Sequence, residues 1–151
     1  MEIEKKIQVS VVMGSQSDWL TMQGACDILQ KFNVSFEKKI VSAHRTPDRL
    51  YEYANSLTKR KVKVVIAGAG GAAHLPGMIA SKTDVPVIGV PINATDLKGL
   101  DSLYSIVQMP RGYPVATMAI GAPGAFNAAI FAIQVLAVSD IIISRKIKEW
   151  R

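Results

Sequence analysis

The stretch VKVVIAGAGGAAHLPGM, residues 62–78, decides the fold of this chain. Its first part, Val62 to Ala67, is a short run of β-branched and small apolar residues, which predicts a strand buried on both faces of a sheet. The glycine-rich turn leads into a helix predicted from Ala72 to Lys82 and interrupted early by Pro76, and a further strand is predicted from Val85 to Val90. This succession is typical of a parallel sheet.

The same succession of strand, turn and helix repeats before and after this stretch. Further strands are predicted at Ile7 to Met13, Phe36 to Val41 and Pro114 to Ile120. Helices are predicted after Ser17, from Pro47 onward, and over Leu97 to Val107, Pro123 to Val138 and Asp140 to Trp150. The alternation predicts an α/β fold with one domain over residues 1–151, a three-layer sandwich around a doubly wound, flavodoxin-like or Rossmann-like parallel sheet.

Composition limits the function. The chain has 18 Lys and Arg against 12 Asp and Glu, a net charge of +6 that suits an anionic ligand. The positive charges are scattered without interleaved aromatic residues, so we expect no nucleic-acid partner. The single Cys26 cannot form an internal disulfide, and the apolar run of Val9 to Met13 is too short for a signal sequence, so we expect a cytoplasmic protein.

The segment from Ala119 to Ile143 is almost long and apolar enough to cross a membrane. Glycine and proline interrupt its beginning, and Ser139-Asp140 interrupts its end, so we predict no membrane span. A helix that is apolar on all sides must still be buried, and one small domain offers only one face for it. We therefore expect a homo-oligomer, in which the C-terminal helix of about 140–151 packs on a neighbouring subunit.

Ser42-Ala43-His44-Arg45-Thr46-Pro47 places a proton carrier beside an anion-binding guanidinium. Histidine is the side chain that exchanges a proton most readily near neutral pH. Thr46 and Pro47 predict a helix start, so His44 would lie at the carboxyl end of a strand, where open α/β sheets bind ligands. The alternative is a loop histidine that bonds only to the main chain.

Two other turns follow strands in the same way. The first, Gly14-Ser15-Gln16-Ser17-Asp18, precedes a helix, so its N–H groups and serine hydroxyls favour binding of an anion. Asp18 could accept hydrogen bonds from sugar hydroxyls. The alternative is that Ser17 or Asp18 only caps that helix. The second, Ala67 to Met78, has so little side-chain bulk that a flat ligand can lie against its main chain. His74 lies in this turn, where a structural role is as consistent with the pattern as proton transfer.

Several site classes lack their signatures. Two histidines and one cysteine have no metal-ligand spacing, and the nucleophile-elbow and Walker motifs are absent. What remains is an acid-base site without cofactor or metal that also binds an anion.

These motifs, together with Asp101 to Pro110, closely resemble the N5-carboxyaminoimidazole ribonucleotide mutase family of purine biosynthesis from Val9 to about Ala137. The resemblance implies a flavodoxin-like fold, a homo-octamer, and conversion of a phosphorylated ribonucleotide, N5-carboxyaminoimidazole ribonucleotide, to its 4-carboxy isomer without metal, ATP or biotin. It also implies roles for individual residues. His44 would be the catalytic proton carrier; Ser15, Ser17, Asp18, Ser42 and Arg45 would bind phosphate and ribose; and Gly70, Gly71, Ala72, His74 and Leu75 would line the base and carboxylate pocket.

Related animal-type enzymes carboxylate aminoimidazole ribonucleotide directly with CO2 and tend to carry lysine at the position of Arg45. Arg45 and the Gly70-Gly71-Ala72 run favour the mutase. Pro91-Ile92-Asn93-Ala94 differs from the glutamine and small hydroxyl residue that are usual in the family. The alternatives are the direct carboxylase and a non-catalytic, flavodoxin-like module that binds a nucleotide or flavin.

Overall fold

The computed structural model describes residues 6–151, so residues 1–5 of the predicted domain lie outside the described residues. Its strands are β1 (Val9–Met13), β2 (Phe36–Ile40), β3 (Val64–Gly70), β4 (Val87–Ile92) and β5 (Ala116–Thr117). Its helices are α1 (Trp19–Lys31), α2 (Pro47–Lys59), α3 (Leu75–Ala80), α4 (Leu100–Val107), α5 (Ala122–Ala137) and α6 (Ile141–Trp150). A single 3₁₀ turn, Gln16–Asp18, precedes α1.

The five strands form one parallel sheet in the order β2-β1-β3-β4-β5. This is the order of flavodoxin-like doubly wound folds, and it confirms the predicted fold class. The chain moves outward from β1 to β2 and then returns across β1 to β3. The order therefore reverses between β1 and β3, where a crevice opens at the carboxyl ends of the strands.

Two apolar clusters cover the two faces of the sheet. One joins α1, α5 and α6 to alternate residues of the central strands, with Leu29, Ile133 and Ile143 among its members. The other joins α2, α3 and α4 to the opposite face, with Leu50 and Ile106 among its members. Because β1, β3 and β4 are buried on both sides, they are almost continuously apolar, as the sequence predicted.

Some predicted boundaries were wrong. β3 continues past Ala67 to Gly70, because β4 itself runs to Ile92 and the ladder between them pairs Gly70 with Ile92. The following helix begins at Leu75 rather than Ala72, because the N–H groups of Ala73 and His74 bond to the carbonyls of Gly71 and Ala72 in tight turns and not in a helical pattern. Pro76 lies in the first turn of α3, where its missing N–H costs no helical bond, and does not interrupt the helix.

β5 is also shorter than predicted. Only Ala116 and Thr117 pair with β4, although the N–H groups of Met118 and Gly121 still bond to Gly89 and Pro91.

The segment with membrane-like composition consists of two helices. α5 ends at Ala137, and Asp140 then caps α6 by accepting hydrogen bonds from the N–H groups of Ile142 and Ile143. Within the described residues, no helix combines the length and the apolar character that a membrane crossing requires. α6 packs against α5 of its own chain through Ile143 and Ile147, while Ile141 and Ile142 remain 74% and 66% exposed.

Candidate active site

A cavity of about 230 Å³ opens in the crevice between β1 and β3. The turns that follow β1, β2 and β3 line most of it, and Ala94, after β4, closes one side. All of the site residues predicted from the sequence line this cavity except Gly71. The predicted residues in its wall are Ser15, Ser17, Asp18, Ser42, His44, Arg45, Gly70, Ala72, His74 and Leu75.

The turn after β1 presents two hydroxyls. Ser15 is the N-cap of the 3₁₀ turn, and its Oγ lies 3.0 Å from the Oγ of Ser17. The N–H of Ser15 donates to Oδ2 of Asp18 over 3.0 Å, which completes a capping box. The predicted cap of α1 by Ser17 or Asp18 is not found, since Asp18 precedes α1 without a side-chain cap bond and takes part in capping the 3₁₀ turn instead. Both serines line the cavity.

Asp18 is the buried carboxylate of the site, with 6% of its surface exposed. Burial raises the pKa of Asp18 above its ordinary value, although main-chain hydrogen bonds from Ser15 and Gly14 and the charge of Arg45 act in the opposite direction. A carboxylate that has lost most of its water is strongly stabilised by a ligand that donates hydrogen bonds to it. Sugar hydroxyls are donors of this kind.

Arg45 is held across the mouth of the cavity by two turns. Its Nε donates to Oγ of Ser42 over 3.1 Å, and its Nη2 donates to the carbonyl of Gly14 over 3.2 Å. The remaining guanidinium N–H groups are free to bind an anion beside the serine turn. The guanidinium is thus oriented before a ligand arrives, which lowers the entropic cost of binding.

Thr46 precedes α2 as predicted, but its side chain does not cap the helix. Its Oγ1 donates to the carbonyl of Ser42 over 2.8 Å and closes the turn that carries His44 and Arg45.

The two histidines of the chain meet across the cavity. Nε2 of His44 lies 2.8 Å from Nδ1 of His74, and the rings are nearly perpendicular, at 82°. A hydrogen bond between two imidazole nitrogens needs a proton on one and a lone pair on the other. While this contact lasts, the two rings cannot both be cations. His44 therefore has a side-chain partner and is not the main-chain-bonded loop residue of the alternative interpretation.

The glycine turn approaches the neighbouring loop so closely that side chains are excluded. A Cβ on Gly70 would lie 2.6 Å from Cβ of Ala94 and 3.3 Å from the carbonyl of Ile92. Gly71 contributes differently from the prediction, because its N–H donates to Oγ of the buried Ser102 over 2.9 Å and does not point into the cavity.

Ser102 lies beneath the site, and no role was predicted for it. The available signal was a serine on the same helical face as the buried Ile106, four residues later. A hydroxyl within an apolar stripe usually has specific partners.

A larger cleft, of about 730 Å³, lies elsewhere, along the open edge of β2. It contains no histidine, and its two lysines are engaged, with Lys38 over the ring of Trp19 and Lys39 3.5 Å from Glu37. The smaller cavity has both histidines and a guanidinium that two hydrogen bonds orient, so it is the candidate active site. Residues 6–151 contain no group of three or more histidine, cysteine, aspartate or glutamate side chains placed to hold a metal ion.

Comparison with known proteins identifies the family. Residues 8–151 match the family model described as AIR carboxylase. The N5-carboxyaminoimidazole ribonucleotide mutase of Bacillus subtilis is 59% identical over 143 residues, which are 95% of this chain and 88% of that protein. The protein of the same name from Haemophilus influenzae is 56% identical and covers 99% of this chain and 91% of its own length.

A solved structure supports the same assignment. The crystal structure of Treponema denticola PurE superposes with a TM-score of 0.85 at 25% identity, covering 95% of this chain and 88% of that one. The fold, the family model and close relatives along nearly the whole length agree, and the resemblance inferred from the sequence motifs is confirmed: this chain belongs to the AIR carboxylase family.

Proposed function

We propose that this protein is an N5-carboxyaminoimidazole ribonucleotide mutase, an isomerase that forms 4-carboxy-5-aminoimidazole ribonucleotide during purine biosynthesis in the cytoplasm. Two relatives that are more than half identical to the chain carry that name. The observation that carries the proposal is the contact of 2.8 Å between His44 and His74 in the cavity that also holds Arg45. This arrangement puts a proton carrier beside an anion-binding group.

The substrate's phosphate and ribose are assigned to the turns after β1 and β2. The hydroxyls of Ser15, Ser17 and Ser42 and the guanidinium of Arg45 provide donors for phosphate oxygens. Asp18 accepts hydrogen bonds from ribose hydroxyls. This half of the cavity is complementary to a sugar phosphate in both charge and hydrogen bonding.

The imidazole base is assigned to the turn after β3. Gly70 and Ala72 leave room for a flat ring against the main chain, and Leu75 provides an apolar contact. Among the described residues, the N–H of Ala72 has no protein acceptor and is available to the substrate's carboxylate. The base then lies between this turn and His44.

The chemistry requires one proton to move twice. Protonated His44 donates to the exocyclic nitrogen as the bond from nitrogen to the carbamate carbon breaks and CO2 leaves. The C4 carbon of the ring then attacks CO2 with its electron pair, and neutral His44 removes the C4 proton. The histidine returns to its starting state, and the product is an isomer of the substrate. One group acts as acid and then as base.

The cavity is open, so retention of CO2 calls for an additional cover. We propose that a homo-oligomer, specifically an octamer, supplies it, with the C-terminal helix packing on a neighbouring subunit. Val138, Ile141 and Ile142 support this arrangement, since they are 89%, 74% and 66% exposed around the start of α6. Light scattering that shows a stable monomer at micromolar concentration would contradict it.

The deciding experiment incubates the purified protein with N5-carboxyaminoimidazole ribonucleotide without ATP and follows the ring-carboxylated product by chromatography and mass spectrometry. The His44→Asn variant, which should assemble and bind substrate but turn it over about 10²- to 10⁴-fold more slowly, is the control. Product formation by the wild type, at a rate at least about 100-fold above that of the variant, supports the proposal. Absence of product from assembled wild-type protein, or a near-normal rate in the variant, contradicts it.

The direct carboxylase is the second candidate, because the description of the matching family model is AIR carboxylase. Isotopic labelling separates the two reactions. A mutase supplied with its carbamate substrate and labelled bicarbonate keeps most of the unlabelled carboxyl group. A direct carboxylase makes product from aminoimidazole ribonucleotide and incorporates the label in bulk.

A further inference from the structure

A side chain in the first turn of α4 is hydrogen-bonded to the main chain of Gly71. Ser102 is fully buried, and its Oγ accepts a hydrogen bond from the N–H of Gly71 over 2.9 Å. The same hydroxyl donates to the carbonyl of Ile92 over 2.7 Å. One buried hydroxyl therefore joins the end of β4 to the turn that follows β3.

Gly71 controls the direction of the chain up to His74. At a φ of +64°, its carbonyl accepts from the N–H of Ala73 over 2.9 Å, and the carbonyl of Ala72 accepts from the N–H of His74 over 2.9 Å. These two successive bonds leave little freedom between Gly71 and the start of α3. The orientation of the Gly71 peptide is therefore transmitted to the ring of His74.

The same turn of α4 also fixes the other wall of the cavity. Asp101 accepts from the hydroxyl of Thr95 over 2.7 Å with one carboxylate oxygen and from the N–H of Ser102 over 2.9 Å with the other. Thr95 follows Ala94, which lines the cavity opposite Gly70. Both small-residue walls are thus attached to one helical turn that does not itself line the cavity.

We infer that Ser102 is a positioning residue for the reaction. Its hydroxyl fixes the Gly70–Ala72 turn against which the substrate lies and, through that turn, the ring of His74 that contacts His44. This inference rests on the proposed function. Ser102 does not touch the substrate, and it acts by keeping the site in its bound shape before the substrate arrives.

Ser10 offers a matched control. It is also fully buried, and its hydroxyl lies 2.8 Å from Glu37 and 2.7 Å from the hydroxyl of Tyr53, away from the cavity. Ser102→Ala and Ser10→Ala each remove one buried hydroxyl that has two partners. A general loss of stability should therefore affect both variants, whereas a loss of positioning should affect only one.

Steady-state kinetics provides the first test. For Ser102→Ala we expect kcat/KM to fall by up to about 100-fold, the cost of a displacement of roughly 1 Å in a reacting site. We expect KM to rise along with a lower kcat, because the displaced turn contacts the substrate directly. Ser10→Ala should keep wild-type values of both, and Ser102→Thr, which retains the hydroxyl, should recover most of the activity. Equal losses in both alanine variants, or wild-type kinetics in Ser102→Ala, would overturn the inference.

Hydrogen exchange followed by mass spectrometry provides a second test that does not depend on activity. Peptides covering residues 68–75 should exchange faster in Ser102→Ala than in the wild type and remain unchanged in Ser10→Ala. If the wild type fails to turn over the carbamate substrate, the proposed function is wrong, whereas faster exchange in Ser102→Ala alone still supports the positioning role. Unchanged exchange in Ser102→Ala refutes that role whatever the assay shows.

Discussion

Replacing His74 with leucine is expected to slow turnover without abolishing it. The lost interaction is the contact of 2.8 Å between Nδ1 of His74 and Nε2 of His44. A hydrogen bond to a charged group contributes about 1.5–3 kcal/mol, and every 1.36 kcal/mol changes a rate by a factor of ten. If the full bond is present in the transition state, kcat for His74→Leu falls about 10- to 150-fold. Loss of His44 itself should cost about 10²- to 10⁴-fold, the usual contribution of a general acid-base group.

The control is His74→Asn, because the amide of asparagine can reach the position of the histidine Nδ1. This variant should retain more activity than His74→Leu. The assay is the initial rate of product formation at saturating substrate, measured for each variant, for His44→Asn and for the combined variant.

If His74 acts only through His44, adding His74→Leu to His44→Asn should produce no further loss, since the partner is already absent. A full additional loss would show that His74 acts on the substrate directly. Wild-type kcat in His74→Leu would refute any role for the histidine pair in catalysis.

Three further predictions follow from other contacts. Arg45→Lys should raise KM about tenfold with little change in kcat, because an ammonium group cannot reproduce the two guanidinium bonds to Ser42 and Gly14. Steady-state kinetics measures both constants, and an unchanged KM would contradict this prediction. Burial alone would raise the pKa of Glu37, but hydrogen bonds from Ser10 and Arg60 and nearby positive charges outweigh burial and lower that pKa. The resulting stabilisation is present above pH 4.5 and is lost as the pH falls through the lowered pKa, so urea unfolding should show that Glu37→Gln costs most near neutral pH and least in acid. Burial raises the pKa of the Cys26 thiol to about 11, so iodoacetamide near neutral pH should alkylate the unfolded chain but hardly react with the folded one, as mass spectrometry can measure.

The elements that the sequence predicted best are those whose residues experience one kind of environment along their whole length. β1 is buried at every position, and its run of valines shows this directly. α2 has an apolar face of Leu50, Tyr53, Ala54 and Leu57 at helical spacing, and all four are buried. The errors lie where contact with another element sets the boundary of a strand or helix. At the end of β3, for example, pairing with β4 keeps Gly70 in the sheet.

The candidate site was predictable in part for a similar reason. Parallel strands bring their carboxyl ends to one edge, so turns rich in polar or small residues after β1, β2 and β3 can be expected to meet there. The contact between His44 and His74 was not predictable, since it joins residues that are 30 positions apart and depends on the exact path of two turns. Ser102 was missed because its position on the apolar face of α4 indicates burial but does not show which main-chain groups its hydroxyl bonds.

The two edges of the sheet limit how this chain can associate with itself. β2, at one edge, carries Lys38 and Lys39, and β5, at the other, contributes only two paired residues. Charged side chains and short edge strands are the usual means by which proteins prevent strands of separate molecules from pairing. Any association between copies of this chain should therefore use helix surfaces and not extend the sheet, and the protein should resist fibril formation even when it is concentrated.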